Sequence, residues 1–136
     1  MKYLLDVNVL LALALDEHEF HNPVAVWVNQ LAESEIPELA TCAITELGFV
    51  RILSQAQKYR LSVKQASGLL MELKRNSKVR FGFLPDDHDI SHLPKWVFSS
   101  KQVTDGHLTE LAASNGWALA TLDRRIPGAF VIPQAR

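Results

Sequence analysis

A chain of 136 residues, 48% hydrophobic and 21% charged, is long enough for one sizeable core and lies far from disordered or fibrous compositions. A lone cysteine, Cys42, excludes an intrachain disulfide, and the longest charge-free apolar run, Val9 to Leu15, is too short to cross a bilayer. The net charge of −1 conceals a segregation: residues 51–80 hold eight basic side chains against Glu72 alone, a net of +7, while the remainder carries −8. Such a segment is either a solvated helix surface or a face for a polyanion.

The chain opens with "MKYLLDVNVLLALAL", in which Asp6 and Asn8 interrupt an otherwise apolar stretch. That interruption is wrong for the continuous core of a signal peptide, and the chain is read as cytoplasmic. Residues 2–5 read as a buried strand and 8–15 as a helix. In "HNPVAVWVNQLAE", Asn22 is the expected N-cap and Pro23 the first helical residue, with Val24, Trp27, Val28 and Leu31 on one face. Residues 38–42 read as a second strand, and Thr41 as the cap of a helix over 43–57 with Ile44, Leu47, Val50, Ile52 and Leu53 as its buried stripe. Ser62 opens a further helix to about residue 76, with Val63, Ala66, Leu69, Leu70 and Leu73 inward. Residues 79–84 read as a strand, and 85–103 as irregular with one helical turn near 93–98. A helix over 104–114 stops at Asn115-Gly116, "WALAT" is a buried strand, and 129–132 a last short one. Apolar strands alternating with helices imply a single α/β domain over 1–136, with a mainly parallel central sheet flanked by helices.

In such sheets, sites form beyond the C-terminal ends of the strands. Asp6 follows the first strand, Glu46 lies in the first turn after the second, Asp105 begins the late helix and Asp123 follows "WALAT". Taken singly, Asp105 suits a helix N-terminus, Asp123 suits a turn and Glu46 suits an exposed helix face. Asp6 is different, since an unpaired carboxylate among core residues is costly. Two carboxylates about 4 Å apart repel by about 4 kcal/mol at an effective dielectric near 20. Four at one edge therefore require protons, cationic partners or a metal, and a hard divalent cation would let the pocket accept a phosphodiester.

These residues carry a resemblance. "LLDVNVLLAL", "ATCAITELGFVRIL", "VTDGHLTELAASNG" and "ALATLDRRI", in this order and spacing over nearly the whole chain, resemble PIN-domain proteins, and among them the VapC-type toxin ribonucleases of toxin–antitoxin pairs. The resemblance implies a PIN-like three-layer fold and an endoribonuclease dependent on Mg²⁺ or Mn²⁺. It makes Asp6, Glu46, Asp105 and Asp123 the metal-site acids and Asn8 and Thr121 their polar supports. It also implies a homodimer and a small antitoxin partner, with the early helices and residues 43–76 as candidate surfaces. One departure stands out: where many relatives carry another acid two residues past Asp123, this chain has Arg125. Arg51, Arg124 and Arg125 are then candidate contacts to RNA, the arginines after Asp123 being equally readable as surface residues of a turn.

Other constellations are weaker. "HEFH" places His18 and His21 on one helical face but supplies no third ligand for zinc. "DDHD" over 86–89 reads as a solvated acidic loop, His107 as a helix-surface histidine and Cys42 as a buried thiol. Trp27, Trp96 and Trp117 read as core or interface residues, with Trp96 also a candidate for base stacking. Two further functions compete with the nuclease. One is a catalytically silent PIN-like module that binds RNA or protein. The other is a phosphoacceptor domain, disfavoured because Val7 stands beside Asp6 and no lysine follows Lys101.

Overall fold

The computed structural model describes residues 1–134. Its elements in chain order are β1 (Lys2–Leu5), α1 (Val7–Ala14), α2 (His21–Leu31), β2 (Glu38–Cys42), α3 (Ala43–Gln55), α4 (Val63–Asn76), β3 (Arg80–Leu84), α5 (Val103–Ser114), β4 (Ala118–Thr121) and β5 (Phe130–Val131). All neighbouring strands pair in parallel, in the order β3-β2-β1-β4-β5. The chain therefore winds outward from β1 in both directions, and the switch in winding falls between β1 and β4.

Strand alternation divides the core. Tyr3, Leu5, Leu39 and Ala120 face a layer built from α1, α2, α3 and α4. Leu4, Ala40, Leu84 and Leu119 face α5, through Leu108, Leu111 and Ala112. Buried on both faces, the strands are short and nearly continuously apolar, as a covered parallel sheet requires. The expected three layers are present. No helix among the described residues is long and apolar enough to cross a membrane.

Several local expectations are corrected. Helix α2 starts at His21, not after an Asn22 cap, because the Phe20 N–H is taken by His18 Nδ1 at 3.0 Å and the His21 N–H by the His18 carbonyl at 3.0 Å. Pro23 then falls in the first turn, where its missing N–H costs no helical hydrogen bond. Cys42 rather than Thr41 flanks α3, with its N–H donating to Thr45 Oγ1 at 3.0 Å. The turn expected near 93–98 is a single reverse turn closed by Val97 N–H to the Pro94 carbonyl at 3.2 Å, and short 3-10 turns form instead at Ile90–His92 and Ser100–Gln102.

The inward face of α3 is also rotated from the expected one. Thr45, Gly48, Phe49 and Leu53 are buried, whereas Leu47 and Ile52 are exposed, as is Val63 in α4. Gly48 matters here because a Cβ would stand 3.0 Å from Val7 Cγ2. Its absence lets α3 press against the start of α1, next to Asp6. Phe49→Ala should therefore lower unfolding free energy by about 3–5 kcal/mol. Leu47, which is 66% exposed, should tolerate alanine within about 0.5 kcal/mol. Urea denaturation of the two variants checks the assignment, and a larger loss for Leu47→Ala would reverse it.

Candidate active site

The site is built where β1 and β4 end. The Asp6 N–H donates to the Ala120 carbonyl at 3.0 Å, a last rung of the β1–β4 ladder. The chain then turns into α1 with Asp6 as N-cap, Oδ1 accepting from Val7 N–H at 2.8 Å. Its other oxygen accepts from Thr121 Oγ1 at 2.8 Å. Thr121 is fully buried and Asp6 is only 7% exposed. Thr121 Oγ1 in turn accepts from Asn8 Nδ2 at 3.3 Å and from Asp123 N–H at 3.1 Å. The Leu122 N–H reaches Asn8 Oδ1 at 3.3 Å. One hydroxyl thus fastens the ends of β1, α1 and β4 together.

Charge follows from this placement. Burial pushes the Asp6 carboxyl above its ordinary range, against the lowering pull of the Thr121 and Val7 hydrogen bonds, and the Asp123 charge pushes it further up. Asp105, in the first turn of α5, is raised by burial and then by the charges of Asp6 and Asp123, with Arg125 opposing. Asp123 is lowered because Arg125 clasps it: Nε donates to Oδ1 at 3.0 Å, Nη2 to Oδ2 at 3.1 Å, and the Arg125 N–H to Oδ1 at 2.9 Å.

Of the four acids read from the sequence, the structure brings Asp6, Asp105 and Asp123 within reach of one another's charge. Glu46 is engaged elsewhere, with Oε2 accepting from Thr41 Oγ1 at 2.6 Å and from Lys74 Nζ at 2.5 Å. Asn8 and Thr121 sit in the network above. Arg125 is on Asp123, and exposed Arg124 lines an open cavity with Asn8, His18, Phe20 and Asp123. Arg51 is exposed on α3, and its guanidinium makes no hydrogen bond or ion pair among the described residues.

Two contacts escaped the sequence reading. Lys74, read only as part of a basic face, meets Glu46 from 28 positions away. The clasp of Arg125 was within reach, because an Asp followed two residues later by a backbone donor is a recurrent local turn. The "DDHD" loop is also not simply solvated. Asp86 accepts from His107 Nε2 and from the His88 N–H, and the His88 side chain is only 9% exposed. His107 is accordingly an inward partner of that loop and not a bare surface histidine. His18 and His21 hydrogen-bond to different partners, Phe20 N–H and the Ala12 carbonyl, which leaves the zinc reading without support.

A sequence model of the PIN domain matches residues 3–129. The chain belongs to the PIN-domain family. Its relatives place it among VapC-type members. It is 35% identical to Ribonuclease VapC38 of Mycobacterium tuberculosis, with 98% of this chain and 91% of that protein covered. It is 36% identical to Ribonuclease VapC44 of the same species, with 93% and 89% covered. Two solved structures share the PIN fold. One is VapBC2 from Rickettsia felis, solved bound to a promoter DNA fragment, with a TM-score of 0.60, 14% identity and 96% of both chains covered. The other is PAE2754 from Pyrobaculum aerophilum, with a TM-score of 0.55, 21% identity, and 96% of this chain and 83% of that one covered.

The fit of this PIN site to a divalent cation rests on its donors. They are hard carboxylate oxygens, which suit Mg²⁺ or Mn²⁺. Asp6 and Asp105 have no ion-pair partner among the described residues, and like charge adds to burial in raising both, from Asp123 on Asp6 and from Asp6 and Asp123 on Asp105. No group of three or more His, Cys, Asp or Glu side chains among the described residues closes around a common point. Mg²⁺ is commonly held by one or two carboxylates with water and phosphate completing its shell, so a two-acid core fits.

The raised Asp6 predicts a pH signature. Its folded carboxyl binds a proton more readily than the unfolded one, so stability falls as pH rises from the unfolded to the folded pKa. Asp6→Asn, which keeps an N-cap residue, should be more stable than the wild type at pH 7 in EDTA. That advantage should shrink toward pH 4. Thermal melts across this range test it, and a less stable variant at pH 7 would contradict it.

Proposed function

We propose that this PIN-domain protein is a divalent-metal-dependent endoribonuclease and the toxin half of a cytoplasmic toxin–antitoxin pair. The observation that carries the reading is that buried Asp6 and half-buried Asp105 are both raised by burial and by neighbouring carboxylate charge, while Asp123 and Glu46 have cationic partners. Carboxyls raised together at a strand-end crevice mark a functional site, and a cation is one group that would relieve them. The VapC ribonuclease relatives supply the reaction class, RNA phosphodiester hydrolysis.

In this reading Asp6 and Asp105 would hold Mg²⁺ or Mn²⁺, Asp123 would join them on release from Arg125, and Glu46 only by leaving Lys74. The bound ion supplies an activated water and neutralises charge on phosphate oxygens. The chain's own residues prepare that chemistry. Thr121 and the Val7 N–H fix both oxygens of Asp6, so its carboxylate does not reorganise when substrate arrives. Asn8 holds Thr121 in place and ties it to the β4 turn. Arg124, Arg125 and Arg51 are the candidate phosphate contacts. The exposed apolar Leu47, Val63 and Met71 on α3 and α4 are candidate surface for a second copy or an antitoxin.

One observation favours a second reading, a silent PIN-like binding module: Arg125 and Lys74 already neutralise Asp123 and Glu46 within the chain. Cleavage of an RNA panel by antitoxin-free protein separates the two. With Mg²⁺ or Mn²⁺ the wild type should cut, and EDTA should stop it. Asp6→Asn and Asp105→Asn should each lower the rate by about 10²–10³, the scale of removing one preorganised electrostatic group. Equal cutting by wild type and variants would mean a contaminating activity or a site elsewhere, and none by either would favour the silent module.

A further inference from the structure

Asp105, Asp123 and Arg125 also form one wall of a cavity of about 230 Å³, whose other walls include Trp96, Lys101 and Gln102. Its volume is below the ~300–1,000 Å³ common for drug-sized ligands, a scale suited to a single planar group. The Trp96 ring is half-buried against the α5-side core and stacks on no other aromatic ring among the described residues. Its indole N–H makes no hydrogen bond to a protein group among the described residues and is open to solvent. Gln102 is half committed: Oε1 accepts from Phe98 N–H at 2.7 Å and Ser99 N–H at 3.1 Å, while Nε2 donates to no protein group among the described residues. Lys101 is exposed beside it and forms no ion pair there.

The wall is held in register with the acids. Gly106 follows Asp105, and a Cβ on it would collide with Val97 and stand 3.3 Å from Pro94 Cδ. The 94–97 turn that carries Trp96 therefore seats directly on the first turn of α5. An aromatic face, an amide donor and an exposed cation next to an acid cluster match the three parts of a nucleotide beside a phosphodiester.

We propose that this cavity is a nucleobase subsite. Trp96 stacks on the base of a nucleotide flanking the cleaved phosphodiester, Gln102 Nε2 donates to the base edge, and Lys101 meets the adjoining phosphate. The substrate class is single-stranded RNA with an unstacked base, since a paired base cannot reach a side cavity. This subsite rests on the ribonuclease reading, but its test does not use cleavage.

Labelled RNA hexanucleotides, each with one abasic position, are titrated by fluorescence anisotropy in EDTA at low salt. One abasic position should weaken wild-type binding about tenfold, within the range that one stacked base contributes. Trp96→Ala should lose a similar factor on intact RNA and become indifferent to that position. Trp96→Phe, which keeps a stacking face and the packing, should retain both binding and the positional effect. Gln102→Glu keeps the acceptor for the Phe98 and Ser99 N–H groups and should change base preference at that position alone. A flat abasic scan, no binding at all, or variants indistinguishable from wild type, as expected if the cavity serves a protein partner, would overturn the subsite. A positional effect in a protein that never cuts RNA would support the subsite and sink the nuclease reading.

Discussion

The structure turns on one hydroxyl. Thr121 Oγ1 donates to Asp6 and accepts from Asn8 Nδ2 and the Asp123 N–H, so three residues from both sides of the winding switch depend on it. Removing a hydroxyl from such a network costs more than one hydrogen bond, because every partner left behind is desolvated and unsatisfied. The parallel sheet makes the network possible. In the order β3-β2-β1-β4-β5 the connections leaving β1 and β4 run to opposite sides of the sheet, the arrangement that leaves a crevice at their C-terminal ends. A carboxylate placed there is buried by its neighbours but faces an opening. Asp6 therefore exists in a state that is costly for the fold and useful for chemistry, a trade recurrent at functional sites.

Around this centre the acids are not equivalent. Asp6 and Asp105 are raised by burial and by like charge, while Asp123 is lowered by Arg125. Environments that push neighbouring carboxylates in opposite directions divide labour among chemically similar groups. Glu46 stands apart because α4 delivers Lys74 to it, and Thr41 at the end of β2 adds a second hydrogen bond. The basic surplus of residues 51–80 is therefore partly spent inside the molecule and is not wholly an outward-facing patch.

How legible this was depends on range. The strand positions, the parallel sheet and the helical layers follow from apolar runs broken by Asp, Asn and Gly, because burial on both faces of a strand leaves a strong local signature. The approximate location of Asp6, Asp105 and Asp123 followed from strand ends for the same reason. The α3 stripe followed only in part: Leu53 is buried and Ile44 and Val50 pack against the core, but Leu47 and Ile52 are exposed and Phe49 was not expected inward. What selects the inward face is the close approach of Gly48 to Val7, a contact across 41 positions. Likewise the α2 start was misplaced because His18 supplies a capping-like acceptor from outside the helix, which no residue preference at Asn22 reveals. Pairing across long sequence separation, as in Lys74–Glu46, leaves no periodic trace at all.

The same contrast in burial bears on the departure at Arg125. The Arg125 side chain is 89% exposed, and exposed ion pairs contribute little because water competes and side-chain freedom is lost. Lys74 and Glu46 are less exposed, at 23% and 27%, so their pair is the harder to open. An arriving phosphate can therefore draw Arg125 away from Asp123 at small cost, whereas Glu46 stays with Lys74 unless α3 and α4 shift. On the proposed reading, Arg125 supplies positive charge to Asp123 when the cleft is empty and would be free to meet a phosphate when it is full.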